Sequence, residues 1–268
     1  SYDWERGLGT CHNCNTTFQL HTYQRKGASE KVYVRPDVVK LSPVKDKVTE
    51  WFKSRGISQR TLDDLNVSQG PEWMPQTGKT ENTIQFNYMM GDQLINVKYR
   101  DGRKNFKLYK GAEKVFYNIN SIVGYDHCII TEGEMDVLAL HEAGIKNVVS
   151  VPNGATLNTN NLDYLDNCID YFDDKEKVIL AVDQDEAGIA LQNELIRRLG
   201  AEVCYLTNLV DCKDANDYLL KYGKEELANT IKECRPVPLE NVTTFKDIEH
   251  EVTDFVQNGF KRGYQIGL

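Results

Sequence analysis

From Asp126 to about residue 235 the chain alternates between short apolar runs and longer amphipathic ones. HCIIT reads as a strand, EGEMDVLALHEAG as a helix closed by Gly144, and NVVSV as the next strand. PNGA and a helical stretch over 160–172 follow, then KVILAV, the helix EAGIALQNELIRRLG, the strand AEVCYL, and the helices ANDYLLKYG and KEELANTIKEC. Strands separated by helices cannot be hairpin partners, so they pair in parallel with the helices packed on the faces of the sheet. KVILAV is apolar throughout, as expected of a strand buried on both faces. Ligands of such sheets bind outside the carboxyl ends of the strands.

That edge is acidic. The run LAVDQDEAGIAL carries a buried strand straight into Asp183 and Asp185, whose side chains share a face at i and i+2. Two charges about 5 Å apart at an effective dielectric of about 20 repel by roughly 3 kcal/mol, so something must compensate them. EGEMD places Glu132 at the end of HCIIT and Asp136 four residues later, and KDAND adds Asp214 and Asp217. Each acid has a plain alternative: Asp183 or Asp185 as a helix N-cap, Asp136 as a surface acid, Asp214 or Asp217 as a cap before YLLKY. Three clusters at strand ends favour a shared role. Carboxylates with water and phosphate suit Mg²⁺, which can activate a hydroxyl and neutralise charge in phosphoryl transfer.

Residues from about 45 to 123 read as mixed α+β. KDKVTEWFKSRG is a short helix with Val48, Trp51 and Phe52 on one stripe and Gly56 as its stop, and SQRTLDDLN is a second. TIQFNYMM, QLINVKYR and a basic return strand form an antiparallel meander turning at Asp101-Gly102. The net charge of −8 does not mark a nucleic-acid binder, but KYRDGRKNFKLYK gathers six Lys/Arg against one Asp. Alternation puts Lys98 and Arg100 on one side and Val97 and Tyr99 on the other. This is either a solvated hairpin or a two-stranded basic face that grips phosphates.

TEGEMD, AVDQDEAG and CKDAND, in this order, resemble the Toprim domain of primases, topoisomerases and some nucleases. They are most similar to the primase half of phage-type primase–helicases and their mitochondrial relative Twinkle. KVKYR and KNFK resemble the basic motif of that family's polymerase subdomain, and PNGA its glycine turn. The resemblance implies an α/β fold. Its parts would be a truncated zinc-ribbon remnant (1–40), an α+β basic subdomain (41–123), a parallel-sheet Toprim domain (124–235) and a linker helix (236–268) leading to a helicase domain.

By the same resemblance Glu132, Asp183 and Asp185 are catalytic, and with Asp136 and Asp214 they hold Mg²⁺ or Mn²⁺; Asp217 is a weaker inclusion. Lys98, Arg100, Lys104 and Lys107 would contact nucleotide and template. The implied activity is synthesis of short RNA primers from ribonucleoside triphosphates on single-stranded DNA. The alternatives are a metal-dependent Toprim nuclease and a non-catalytic DNA-binding collar of a helicase.

Cys11-His12-Asn13-Cys14 has the spacing of one zinc knuckle, and no second pair follows, so Cys11 and Cys14 form an incomplete zinc site here; an isolated redox pair is the rival reading. Zn²⁺ is expected only in a longer protein. The chain starts without Met inside a motif and stops at GYQIGL, and we expect it to be a piece of that longer protein, monomeric alone and a ring oligomer when joined to the helicase. FKDIEHEVTDFVQNGF, with Ile248, Val252, Phe255 and Val256 on one stripe, reads as the linker helix, and RPVPLENVTTF as linker. GKT at 78–80 is no Walker A, because Trp73 stands where the first glycine is required. Seven cysteines, mostly single and in apolar surroundings, fit reduced thiols. The expected location is the cytoplasm of a bacterium or phage-infected cell rather than the mitochondrial matrix, and no stretch reaches the ~20 apolar residues of a membrane span.

Overall fold

The chain has two main sheets, and a computed structural model describes residues 2–3, 8–10, 17–19, 32–36, 43–45, 47–155, 162–238 and 253. Strands β1 (Tyr2–Asp3), β2 (Leu8–Thr10) and β3 (Thr17–Gln19) form a small antiparallel sheet. Cys11 and Cys14, and the expected linker helix apart from Thr253, lie outside the described residues.

Helix α1 (Lys47–Ser54) buries Phe52 and packs Val48 and Trp51 against the core, and it ends before Gly56, whose φ of +75° favours glycine. Helix α2 (Gln59–Asp64) starts at Ser58, whose hydroxyl accepts from the Thr61 amide. The meander follows in the order β4 (Val67–Met74), β5 (Lys79–Met90), β6 (Gln93–Arg100) and β7 (Phe106–Leu108). Sequence reading missed β4, because Gly70 and Pro71 argue against a strand. Pro71 is compatible with β4 because β4 is an edge strand of the meander, where proline is found.

The meander curls until its outer strands meet: Lys107 of β7 pairs with Glu72 of β4 at 2.6 Å, and Gln76 donates to the Phe106 carbonyl. Met74, Val97 and Tyr99 fill the inside of the curl. The opposite face, carrying Ile84, Phe86, Tyr88, Lys98 and Arg100, turns toward the second sheet. One continuous core joins Phe52, Leu62, Phe86 and Tyr88 to Ile129, Val149 and Leu180.

The second sheet is built from β8 (His127–Thr131), α3 (Glu134–Glu142), β9 (Val148–Ser150), α4 (Asp163–Cys168), β10 (Lys177–Ala181), α5 (Glu186–Leu199), β11 (Cys204–Leu206), α6 (Ala215–Lys232) and β12 (Arg235–Pro236). Strand order is β12-β11-β10-β8-β9, with β11, β10, β8 and β9 parallel and β12 antiparallel at one edge. Among the described residues the helical stretch after PNGA is α4 continued by a 3-10 turn at Ile169–Tyr171. One correction follows: the start of the RPVP linker is the edge strand β12. Inside α6, Gly223 is non-helical with φ +86°, so two helical segments meet there as ANDYLLKYG and KEELANTIKEC suggest.

The connection from β8 runs to β9 on one side, and that from β10 runs to β11 on the other. Adjacent strands whose connections diverge leave a crevice beyond their carboxyl ends, the switch point where ligands bind. β8 and β10 are in register from Lys177↔His127 to Ala181↔Thr131, so both end at one level. Among the described residues no helix is long and apolar enough to cross a membrane.

Candidate active site at the carboxyl edge of the parallel sheet

Glu132 leaves β8 directly into this crevice and bridges three segments. Its Oε1 accepts from the Asp183 amide at 3.0 Å and its Oε2 from the Ala155 amide at 3.3 Å. The PNGA turn, with Gly154 at φ +67°, therefore holds the acid from the other side. Burial, with Asp185 nearby, still raises the Glu132 pKa above the usual range, against the two amides and Lys213.

Asp183 is half-buried, and its carboxylate makes no hydrogen bond or ion pair among the described residues. Burial and then Glu132 and Asp214 push its pKa up to about 7. Asp185, two residues on, is exposed and accepts from the Gly188 amide at 2.9 Å as N-cap of α5. Gly188 has no room for a side chain: a Cβ there would lie 2.0 Å from the Asp183 carbonyl oxygen and 2.5 Å from Glu132 Oε1. The glycine lets α5 start against the acid loop.

Asp136 is buried in the first turn of α3, and its Oδ1 accepts from the Ala215 and Asn216 amides at the start of α6. Burial, Asp214 and Asp183 raise its pKa well above the carboxylate range. Asp214 caps α6 by accepting from the Asp217 amide at 2.8 Å. Capping roles thus hold for Asp185 and Asp214, whereas Asp136 is no surface acid. Asp217 points elsewhere, 3.8 Å from Arg55.

The basic residues divide. Lys98 and Arg100 share the face turned to the parallel sheet, as alternation requires. Lys98 Nζ lies 2.9 and 3.0 Å from the two oxygens of Glu134, which also accepts from the Tyr88 hydroxyl. Arg100 lies 4.4 Å above the Trp51 ring and 5.9 Å from Phe106, and makes no hydrogen bond or ion pair among the described residues. Burial and neighbouring Arg55 pull its pKa down. Lys104 sits exposed on the turn with φ +66°. Lys107 corrects the expectation of one basic face: its register partner is Tyr99, so it faces the inside of the curl and pairs with Glu72. Sequence reading missed Arg55, whose guanidinium reaches Asn216 and lies 5.7 Å from the Trp51 ring, because a lone Arg in the turn after a short helix carries no pattern. It also missed Glu134, which reads as an ordinary first-turn acid.

Among the described residues no three acid, His or Cys side chains stand close enough together to hold a metal ion as they are. The donors nevertheless fit a hard divalent cation. They are all carboxylate oxygens, the Asp183 carboxylate has no partner among the described residues, and burial together with neighbouring acids, which raise three pKa values, disfavours charge that a cation would stabilise. Mg²⁺ asks for only one or two carboxylates and keeps several waters, so a preformed cage is not required.

Comparison with known proteins places these features. Residues 129–219 match the Toprim-like family. The chain is 30% identical over 247 residues to the chloroplastic/mitochondrial Twinkle homolog protein of Arabidopsis thaliana, covering 86% of this chain and 34% of that one. It is 34% identical over 220 residues to the Primase homolog protein of the same plant, covering 76% of this chain and 64% of that one. The chain thus spans about a third to under two thirds of these relatives. The crystal structure of the primase fragment of the bacteriophage T7 primase–helicase aligns at a TM-score of 0.58 and 24% identity, covering 84% of this chain and 90% of that one, which shows a shared fold.

Proposed function

Because the chain carries a Toprim-like domain set in a primase fold, and this class implies use of a divalent metal, we propose that it is the catalytic part of a DNA primase. It joins ribonucleoside triphosphates on a single-stranded DNA template. The observation that carries this is the negative charge gathered at the switch point: Asp183, Glu132 and Asp136 all have raised pKa values because burial, and after it the neighbouring acids, disfavour their charged forms. Such an arrangement gains its stability from a cation supplied from outside.

In this reading Asp183 and Asp185 hold Mg²⁺ or Mn²⁺, with Glu132, Asp136 and Asp214 around them. The bound metal supplies charge neutralisation at the α-phosphate and a more acidic 3′-hydroxyl. Glu132, fixed by two backbone amides, takes the hydroxyl proton as the 3′-oxygen bonds to the α-phosphorus and pyrophosphate leaves. Arg100 and Lys98 supply positive charge for the triphosphate, and Lys104, exposed on the turn, for the template backbone. The division of labour puts the basic polymerase subdomain at 41–123 and the metal-bearing domain at 124–235. A zinc ribbon completed through Cys11 and Cys14, and a ring helicase in the same polypeptide, belong to this proposal; the name of the T7 relative supports the helicase. A cytoplasmic location is also part of this proposal.

The test places the protein on end-labelled single-stranded DNAs with four labelled ribonucleotides and Mg²⁺ or Mn²⁺. Oligoribonucleotides that vanish with Asp183→Asn are the expected result. Shortened DNA without RNA identifies a nuclease instead, and neither product removes the catalytic reading.

A further inference from the structure

Lys98 is better buried and better paired than a phosphate-binding lysine needs to be. Its side chain is 11% exposed and its partner Glu134 is 4% exposed. Both carboxylate oxygens are within 3.0 Å of the ammonium, and the Tyr88 hydroxyl donates to the same carboxylate. The trio joins two meander strands to the first residue of α3, and Glu134 stands two residues beyond Glu132 in the same turn. Stability does not explain the arrangement, since an apolar set of similar volume holds two sheets together at least as well as a buried ion pair. An ammonium has three donors. Two point at Glu134, and the third makes no hydrogen bond among the described residues, with only the Phe106 ring 5.4 Å from the ammonium.

We propose that Glu134 is a positioning residue: it fixes the Lys98 ammonium beside the acid-lined crevice, with one N–H left for the triphosphate of the incoming nucleotide, while Tyr88 fixes Glu134. The inference rests on the nucleotidyl-transfer reading above and gives that site an orienting group which its acids and exposed cations lack. Glu134 acts through Lys98 and does not touch the nucleotide.

The experiment uses the whole chain and four variants: Glu134→Gln, Glu134→Asp, Lys98→Met and the double variant Lys98→Met/Glu134→Gln. Each is measured for thermal unfolding, for equilibrium binding of a fluorescent ribonucleoside triphosphate analogue, and for kcat and KM of primer synthesis. Glu134→Gln is expected to lower Tm by leaving a buried ammonium unpaired, and to bind the analogue no more weakly because that ammonium is freed. Its kcat is expected to fall by about tenfold to a hundredfold because the ammonium is no longer aimed. Glu134→Asp keeps the charge pair and Tm but draws the ammonium back, with a similar loss of kcat. The double variant regains Tm yet synthesises no more than Lys98→Met alone.

Wild-type kcat and KM in a folded Glu134→Gln protein, with Lys98→Met impaired, overturns the positioning role and leaves the nucleotidyl-transfer reading standing. Wild-type synthesis by the double variant makes the pair a strut and overturns the proposal. Absence of synthesis in the wild type removes the underlying reading, and this inference with it.

Discussion

Two acids at opposite ends of α3, Asp136 and Glu142, are in opposite states. Asp136, in the first turn, accepts two backbone amides and sits at the end of a helix where partial positive charge favours a carboxylate, yet its pKa is raised. Glu142, in the last turn, sits where the helix disfavours an acid, yet its pKa falls to about 2. Local partners decide both cases. Glu142 is held by Lys224 at 2.7 Å and by the backbone amide and hydroxyl of Ser58. Asp136 faces Asp214 and Asp183 instead, and its amides do not offset burial among like charges. At the back of the sheet acids are paired within the protein. At its front they exceed the cations available, and that excess is what a bound ion and a phosphate chain can use.

The comparison breaks first at Asp183. Asp183→Asn should lower metal-dependent RNA synthesis by about 10²–10³-fold, read as labelled product per unit time. The same change should raise Tm in the absence of divalent metal, because it removes one of the repelling charges. A lower Tm would mean that the front edge is not electrostatically strained. Gly188→Ala tests the same edge sterically. Its Cβ meets backbone and the Glu132 carboxylate, so an unfolding free energy lower by about 3 kcal/mol, read from urea denaturation, is expected together with loss of synthesis.

At the back, Glu142→Gln should cost about 1–2 kcal/mol at neutral pH. The sign follows from linkage: a carboxylate whose pKa is depressed on folding stabilises the protein above its unfolded value of about 4.3 and loses that contribution as pH falls toward 2. Urea midpoints of wild type and variant should therefore converge between about pH 4 and pH 2. A constant gap would assign the effect to packing. The smallest change concerns Arg100. Trp51→Leu removes the ring beneath its guanidinium and should cost about 0.5–1 kcal/mol of stability. It should also raise KM for nucleotide a few-fold with kcat little changed, whereas Trp51→Phe should restore most of both.

Much of this was readable in the residues. The alternation after Asp126 specifies a parallel sheet because period and length separate its strands from its helices, and acids placed directly after HCIIT and KVILAV have to emerge at one edge. Alternation within NVKYR likewise assigns Lys98 and Arg100 to one face. The failures have equally local causes. β4 was hidden by Gly70 and Pro71, which an edge strand tolerates. Lys107 was grouped with Lys98, Arg100 and Lys104 through the resemblance to a basic motif, although its register with Tyr99 sends it to the opposite face.

What the sequence determined by itself is therefore what depends on neighbours along the chain: the elements, the sheet type, the edge where the acids gather and the side from which each strand residue leaves. What only the tertiary structure decided is which charges meet. Glu134 lies 36 residues from Lys98, and Arg55 161 residues from Asn216. No periodicity spans such separations, because those pairs are set by how the curled meander and α1 pack over the ends of α3 and α6. That packing ties Lys98 to a carboxylate, leaves Arg100 between aromatic rings, and keeps Asp183 without a partner.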